Sequence, residues 1–332
     1  MRRAGRLSVW ASALICLAQV AAAHADPILT RNQHPLVALY GLPLPLAARL
    51  PGAGSGSLGA TVNWSNIATT DTTDQRSYTL DGEVFEARVQ AGHALGEHFA
   101  VQGQLAWRQL TGGSLDSLVE SWHDLFNLPN GSRNRLPEDE LLIEYRFGES
   151  TLLRVDDESS GLADLPLSLG YQLTASDQSA VATWLTIKVP TGQAADLTGS
   201  GAVDIALSLA GEREVSERWQ LFGQASVVWL GEGDVLADLQ QDFAGSLLAG
   251  TTWKAWRSLE LTAQLEANTA VLDTGTDLDG DAIVLTIGGR YRTNSGWVCD
   301  FGFSEDLQIS ASPDIVRAVV GDTDTPFRWM GY

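Results

Sequence analysis

The chain has 332 residues and a formal net charge of −20, which argues against a nucleic-acid partner, because phosphate backbones demand Lys and Arg. Beyond the first 25 positions no stretch supplies about 20 uninterrupted apolar residues, which excludes a helical membrane span. The two cysteines, Cys16 and Cys299, are too few for a disulfide framework.

In chain order, residues 1–25 read as a secretory signal peptide. Arg2, Arg3 and Arg6 give the positive start, Leu7 to Val20 the apolar stretch, and Ala23-His24-Ala25 the cleavage site, so that the mature chain begins at Asp26. Cleavage leaves Cys299 alone, without an internal disulfide partner. An exported chain of this kind is periplasmic, secreted or an outer-membrane barrel. Residues 26–56 are rich in Pro and Gly and end in Pro51-Gly52-Ala53-Gly54-Ser55-Gly56. Two readings stand for them: a periplasmic leader, or a plug folded into a lumen.

From there a period of two recurs. Leu259, Leu261, Ala263, Leu265 and Ala267 alternate with Glu260, Thr262, Gln264, Glu266 and Asn268, and Val203 to Ala210 and Val181 to Val189 behave alike. Successive strand side chains point to opposite faces, and many such segments of about 10 residues fit a transmembrane barrel, apolar outside and polar inside. Strands are expected at 57–69, 76–93, 97–110, 139–148, 150–156, 162–175, 179–190, 202–213, 217–230, 241–256, 258–270, 281–293, 297–308 and 313–320, with a C-terminal tail at 321–332. The weakest are 150–156 and 313–320. Bacterial barrels have an even strand count, short periplasmic turns and longer outer loops. Fourteen strands satisfy this, with a periplasmic turn at Glu149, whereas twelve is the alternative. The expected fold is therefore all-β, a single antiparallel barrel with one short helix in an outer loop.

That helix falls within 111–138. Ser114 is placed to cap it, Asp116 suits its first turn, and Leu115, Leu118, Val119, Trp122 and Phe126 recur at helical spacing. Capping the barrel mouth, entering the lumen and resting on the membrane surface are its three options, and the mouth is the position expected here.

Charges on the inward parity are the candidate lumen lining: Arg88, Arg108, Glu144, Arg146, Lys188, Asp204, Glu260, Glu266, Arg290 and Arg292. Lys or Arg facing lipid at the midplane costs about 2–4 kcal/mol, which forces an inward assignment. Such charges serve either as ion pairs that seal the lumen or as a constriction that selects solutes. Glu260 and Glu266 are expected within reach of Arg290 and Arg292. An embedded lipid hydrolase would need a serine beside His34, His93, His98 or His123, and no G-x-S-x-G motif is present; no enzyme is expected. Asp273, Asp277, Asp279 and Asp281 share one loop but lack the EF-hand register, so they read as an acidic turn. No zinc-type His/Cys cluster occurs, and no cofactor or metal is expected.

Several segments carry a resemblance: Arg31-Asn32-Gln33-His34-Pro35-Leu36 with Tyr40-Gly41-Leu42-Pro43, Leu80-Asp81-Gly82-Glu83, Gly112-Gly113-Ser114-Leu115-Asp116, Leu128-Pro129-Asn130-Gly131, and Ser304-Glu305-Asp306-Leu307. Through them the chain resembles a proteobacterial family of outer-membrane proteins known as a domain of unknown function. A broader similarity is to barrels of aromatic-degradation pathways, through Lys188-Val189-Pro190-Thr191-Gly192, Thr198-Gly199-Ser200-Gly201 and Asp204. These resemblances imply the outer membrane of a Gram-negative bacterium, passive uptake of a small hydrophobic solute, and, as partners, outer-membrane lipids and lipopolysaccharide and the barrel-assembly machinery. A structural barrel with a sealed lumen is the alternative function.

Overall fold

The computed structural model describes residues 27–126, 132–294, 297–307 and 314–323. The expected signal peptide and cleavage site, and residues 324–332 of the expected tail, lie outside the described residues. The described strands, in chain order, are β1 (Gly56–Thr72), β2 (Arg76–Ala94), β3 (Phe99–Thr111), β4 (Leu142–Phe147), β5 (Ser150–Val155), β6 (Ser159–Leu162), β7 (Leu165–Ala175), β8 (Ser179–Val189), β9 (Asp204–Glu214), β10 (Trp219–Trp229), β11 (Phe243–Lys254), β12 (Leu259–Asn268), β13 (Ala282–Arg292), β14 (Val298–Asp306) and β15 (Asp314–Thr323). One α-helix, α1, covers Asp116–Phe126.

Two of these strands are halves of one. β6 and β7 both pair with β3, β6 at its outer end and β7 lower down, with a break at Ala163 and Asp164. Counted so, the sheet has the expected fourteen antiparallel strands. The pairings run β1–β2–β3–β6/β7 and then consecutively through β15, which pairs back onto β1. Twelve strands therefore close the ring, and β4 and β5 form a hairpin attached to the upper part of β2. Closure removes the exposed edges that an open sheet would leave for aggregation.

The hairpin corrects one expectation. Gly148 donates to the carbonyl of Gln75, in the β1–β2 turn, so the Glu149 turn lies at the long-loop end and not with the short periplasmic turns. The connection from β3 to β6 is one long outer excursion, residues 112–158. Short turns at 95–98, 176–178, 215–218 and 255–258 remain together at the opposite end. The expected tail is also shortened, because β15 continues to Thr323.

The period of two is realised directly. In β9, Asp204, Ala206, Ser208 and Ala210 are buried while Ile205, Leu207 and Leu209 are exposed. Exposed large side chains such as Leu169, Leu185, Leu221, Leu247, Leu265 and Ile287 form an outer apolar belt. Aromatics mark its margins: Trp219 and Trp253 stack at 6.1 Å near the short turns, where an amphipathic ring suits a membrane interface.

Helix α1 departs from the expected mouth position. Ile67, Val84 and Ser304 are buried on the inward parity, so their neighbours Asn66, Glu83 and Glu305 face outward. These outward residues hold the helix. Glu83 accepts from the amide of Ser114 at 2.8 Å, from that of Leu115, and from Trp64 Nε1 at 2.6 Å. Asn66 donates to Asp116 at 2.9 Å, and His123 Nε2 lies 3.4 Å from Glu305. The helix thus rests on the outer flank of the barrel, across β2, β1 and β14. The Glu83 carboxylate anchors the residues that lead into it, Ser114 and Leu115, where the sequence pattern expects Ser114 as the cap. Gly113 makes this approach feasible: it has φ +82°, and a Cβ there would sit 1.9 Å from the Glu83 carboxyl carbon. Leu115 and Val119 are buried, whereas Leu118 and Leu125 face out. The side chains of Trp122 and Phe126 lie outside the described residues.

Candidate functional site

Residues 27–50 lie inside the ring. The chain from Leu36 to Leu42 packs into an apolar cluster with Ile67, Tyr78, Leu80 and Val84 of the wall and with Leu197, Val235, Leu236, Leu272 and Leu278 of the outer loops. Lower down, Leu46 and Leu50 pack on Ala100, Ala182 and Trp184.

This segment forms no sheet with the wall, yet its buried amides and carbonyls need partners. Three glutamines supply them, each using both ends of its carboxamide. Gln264 of β12 accepts from the Ile28 amide and donates to the Ile28 carbonyl, both at 2.9 Å. Gln224 of β10 accepts from the Leu46 amide at 2.7 Å and donates to Leu44 at 3.3 Å. Gln172 of β7 accepts from the Leu50 amide at 2.7 Å and donates to Ala48 at 2.9 Å. Trp184 Nε1 adds a bond to the Ala47 carbonyl at 2.8 Å. Charge alone does not single out these glutamines. Their signal was present in their inward parity on the strands.

The charged residues sort into separate groups. Arg88 and Arg108 share the carboxylate of Glu86, Arg108 at 2.8 Å. Arg108 also donates to the Ala38 carbonyl at 3.1 Å. Lys188 pairs with Asp164 at 2.6 Å and with Asp204, its cross-strand neighbour, at 3.2 Å. It further donates to Leu39 of the segment, at 3.0 Å, and to the Ser200 hydroxyl. Asp204 accepts from the amides of Gly41, at 2.7 Å, and Gly231, at 3.0 Å. The Lys188–Gly192 and Thr198–Asp204 motifs are thereby explained as one buckle that ties two outer loops to the lumen segment. Gly192 is obligatory in it, since a Cβ would meet the Thr198 carbonyl at 2.5 Å.

Arg290 grips Asp300 with two bonds, at 2.7 and 2.6 Å, and Arg292 approaches Glu260 at 3.6 Å, at the short-turn end. Glu266 stands apart from this group. It pairs across the sheet with Val284, while Glu260 pairs with Arg290 six positions away, and it accepts from Gln264 at 2.7 Å. Glu144 and Arg146 do not line the lumen. On β4 the buried face carries Ile143 and Tyr145, so the parity is inverted, and Glu144 binds Arg154 at 2.6 Å on the outside. Above the membrane no lipid forces charges inward, and the mouth is filled by apolar side chains instead.

The histidines are dispersed. His34 lies in the lumen segment, where Nδ1 accepts from the Leu36 amide at 3.2 Å. Burial holds its pKa down at about 3. His93 ends β2, His98 sits against Tyr171, and His123 is on the outer flank. In the acidic turn Asp279 accepts from the amides of Thr274 and Gly275 and from the Thr274 hydroxyl, at 2.7 Å for the hydroxyl, which commits it to the turn.

Solved structures share this architecture. The COG4313 outer membrane channel from Pseudomonas putida F1 superposes with a TM-score of 0.56 at 13% identity, over 83% of this chain and 98% of that one. The toluene transporter TbuX of Ralstonia pickettii gives a TM-score of 0.41 at 11% identity, over 81% and 88%. At 13% identity the likeness to the first is one of fold, an outer-membrane-type β-barrel. No curated protein sequence matches the chain. A family model does, over residues 7–321, and the chain accordingly belongs to the family described as Protein of unknown function (DUF3187).

Proposed function

We propose that the protein is an outer-membrane channel that passes a small hydrophobic solute, with residues 27–50 serving as a removable plug. One observation carries this reading: the lumen is occupied by a segment held through side chains, with no ladder joining it to the ring, so that it is separable from the ring. The name of one structural relative, an outer membrane channel, agrees with a route through the barrel. Lipopolysaccharide and outer-membrane lipids are the surroundings in this reading, and the barrel-assembly machinery inserts the chain after signal-peptide cleavage.

The test is single-channel conductance of the refolded mature chain in a planar bilayer beside a variant lacking residues 27–50. Silence in the intact chain and steady conductance in the deletion is the expected result. A folded deletion variant that stays silent would overturn the proposal. It would support a sealed structural barrel, a reading favoured by the apolar cluster that fills the outer mouth.

A further inference from the structure

Between the lumen segment and the wall of β2, β3, β7 and β8 lies a narrow cleft that opens to solvent. One side is apolar, formed by Leu39, Leu42, Leu44, Leu46 and Pro166, and the other presents Arg31, Arg88 and Lys188. The charges around it do not balance. Arg31, Arg88, Arg108 and Lys188 are four cations, whereas the neighbouring carboxylates are Glu86, Asp164 and Asp204. Lys188 is met by two of these, which leaves three guanidiniums around Glu86.

Arg31 is the least compensated. Its guanidinium donates to the carbonyls of Ala38 at 2.9 Å, Leu42 at 3.0 Å and Tyr40 at 3.2 Å, and to no carboxylate among the described residues. Arg88 donates to Gln104 at 2.6 Å and to Glu86. A guanidinium has five N–H donors, and Nε of both residues is buried without an acceptor among the described residues. Burial first, and Arg88 next, press the Arg31 pKa below its ordinary value. Enclosed positive charge short of acceptors is costly, and Arg31 and Arg88 both line the cleft.

We propose that this cleft binds a small organic monoanion, a carboxylate on an apolar body, with the carboxylate between Arg31 and Arg88 and the body against the leucines. A guanidinium fork matches a planar carboxylate, a single negative charge suits the local excess, and the apolar wall selects against inorganic anions. The inference rests on the lumen being the solute route and names the class of solute. The site is built partly from the plug itself, so an occupant would bear on both the segment and the wall.

Benzoate and benzyl alcohol separate charge from shape. The experiment is isothermal titration of each into the detergent-solubilised mature chain, with Arg31→Gln, Arg31→Lys and Arg146→Gln beside it. Saturable benzoate binding, with benzyl alcohol at least about tenfold weaker, is expected. R31Q should lose at least about tenfold and R31K less, since it keeps the charge without the fork, while the outer-hairpin variant R146Q stays within a few-fold of the parent. A second readout needs no variant: benzoate should raise the melting temperature of the native chain, and equimolar benzyl alcohol should not. Equal binding of the two probes, or unaltered benzoate binding in R31Q, would overturn the anion site while leaving the channel to be judged by conductance. Binding of neither probe would overturn the site, whatever the conductance. If R31Q and R31K both lose benzoate and the melting temperature of the native chain is also indifferent to it, the proposal fails as well.

Discussion

At the scale of residues, the lumen contrasts contacts that stabilise strongly with contacts that do not. Arg290 and Asp300 are both buried and bonded twice, so Arg290→Ala leaves a buried carboxylate short of its partner, at a cost of about 3–5 kcal/mol. Arg154, half exposed on the hairpin, should cost far less on the same substitution. Chemical denaturation of both variants in detergent checks the contrast, and equal losses would contradict it. Gln224→Leu removes both bonds to Leu44 and Leu46 and strands a buried amide, so docking of the segment should weaken by about 1–3 kcal/mol. Faster trypsin cleavage after Arg49 is the measurement. His34 sets a pH window. Its folded pKa of about 3 lies below the ordinary 6.5, so the free segment takes up a proton first. The stabilisation is complete above about pH 6.5 and falls by up to about 1.4 kcal/mol for each unit below it. His34→Gln should flatten that slope in a proteolysis-against-pH series.

At the scale of elements, the strands were legible because the lipid outside and the polar lumen inside write opposite requirements on alternate residues. Leu259 to Asn268 can be read no other way. The hairpin could not be read so. Leu142 to Phe147 alternates as well as any wall strand, and only its pairing with Arg76 to Asp81, some 65 residues earlier, removes it from the ring. The same non-locality hid the anchor of the helix start. Glu83 stands 31 positions before Ser114, beyond any local capping pattern. Glu83→Ala should therefore release the start of α1 with the barrel intact. Hydrogen exchange at the Leu115 and Val119 amides should accelerate, reflecting a loss of about 1–3 kcal/mol, while that of β9 and β10 stays slow. Protection at Leu115 equal to that of the parent would show that Glu83 does not hold the helix.

At the scale of the molecule, the ring and its contents are separable. Every pairing that closes the barrel joins one wall strand to another, and each hydrogen bond between the described segment and the rest of the chain has a side chain at one end, Arg49 to the Ser176 carbonyl included. Removing residues 27–50 should thus leave the sheet content unchanged by circular dichroism and preserve the folded band in unheated electrophoresis. Loss of the folded band would mean that the segment is needed to hold the ring. The location of residues 27–50 was not decided by the sequence, since proline and glycine suit a free tail as well as a packed one. What decides it is the set of inward glutamines and the Lys188–Asp204 buckle, which become meaningful only when strands far apart in the chain face one another across a lumen.

The five residues 51–55 between Leu50 and Gly56 have a consequence of their own. They tie the segment to β1 at the short-turn end, so a segment that leaves the lumen cannot diffuse away. A short flexible tether keeps its load at an effective concentration in the millimolar range. Opening and reclosing are then unimolecular, indifferent to how much protein the membrane holds. A free peptide of the same sequence would have to reach that concentration before it could compete for the vacated lumen.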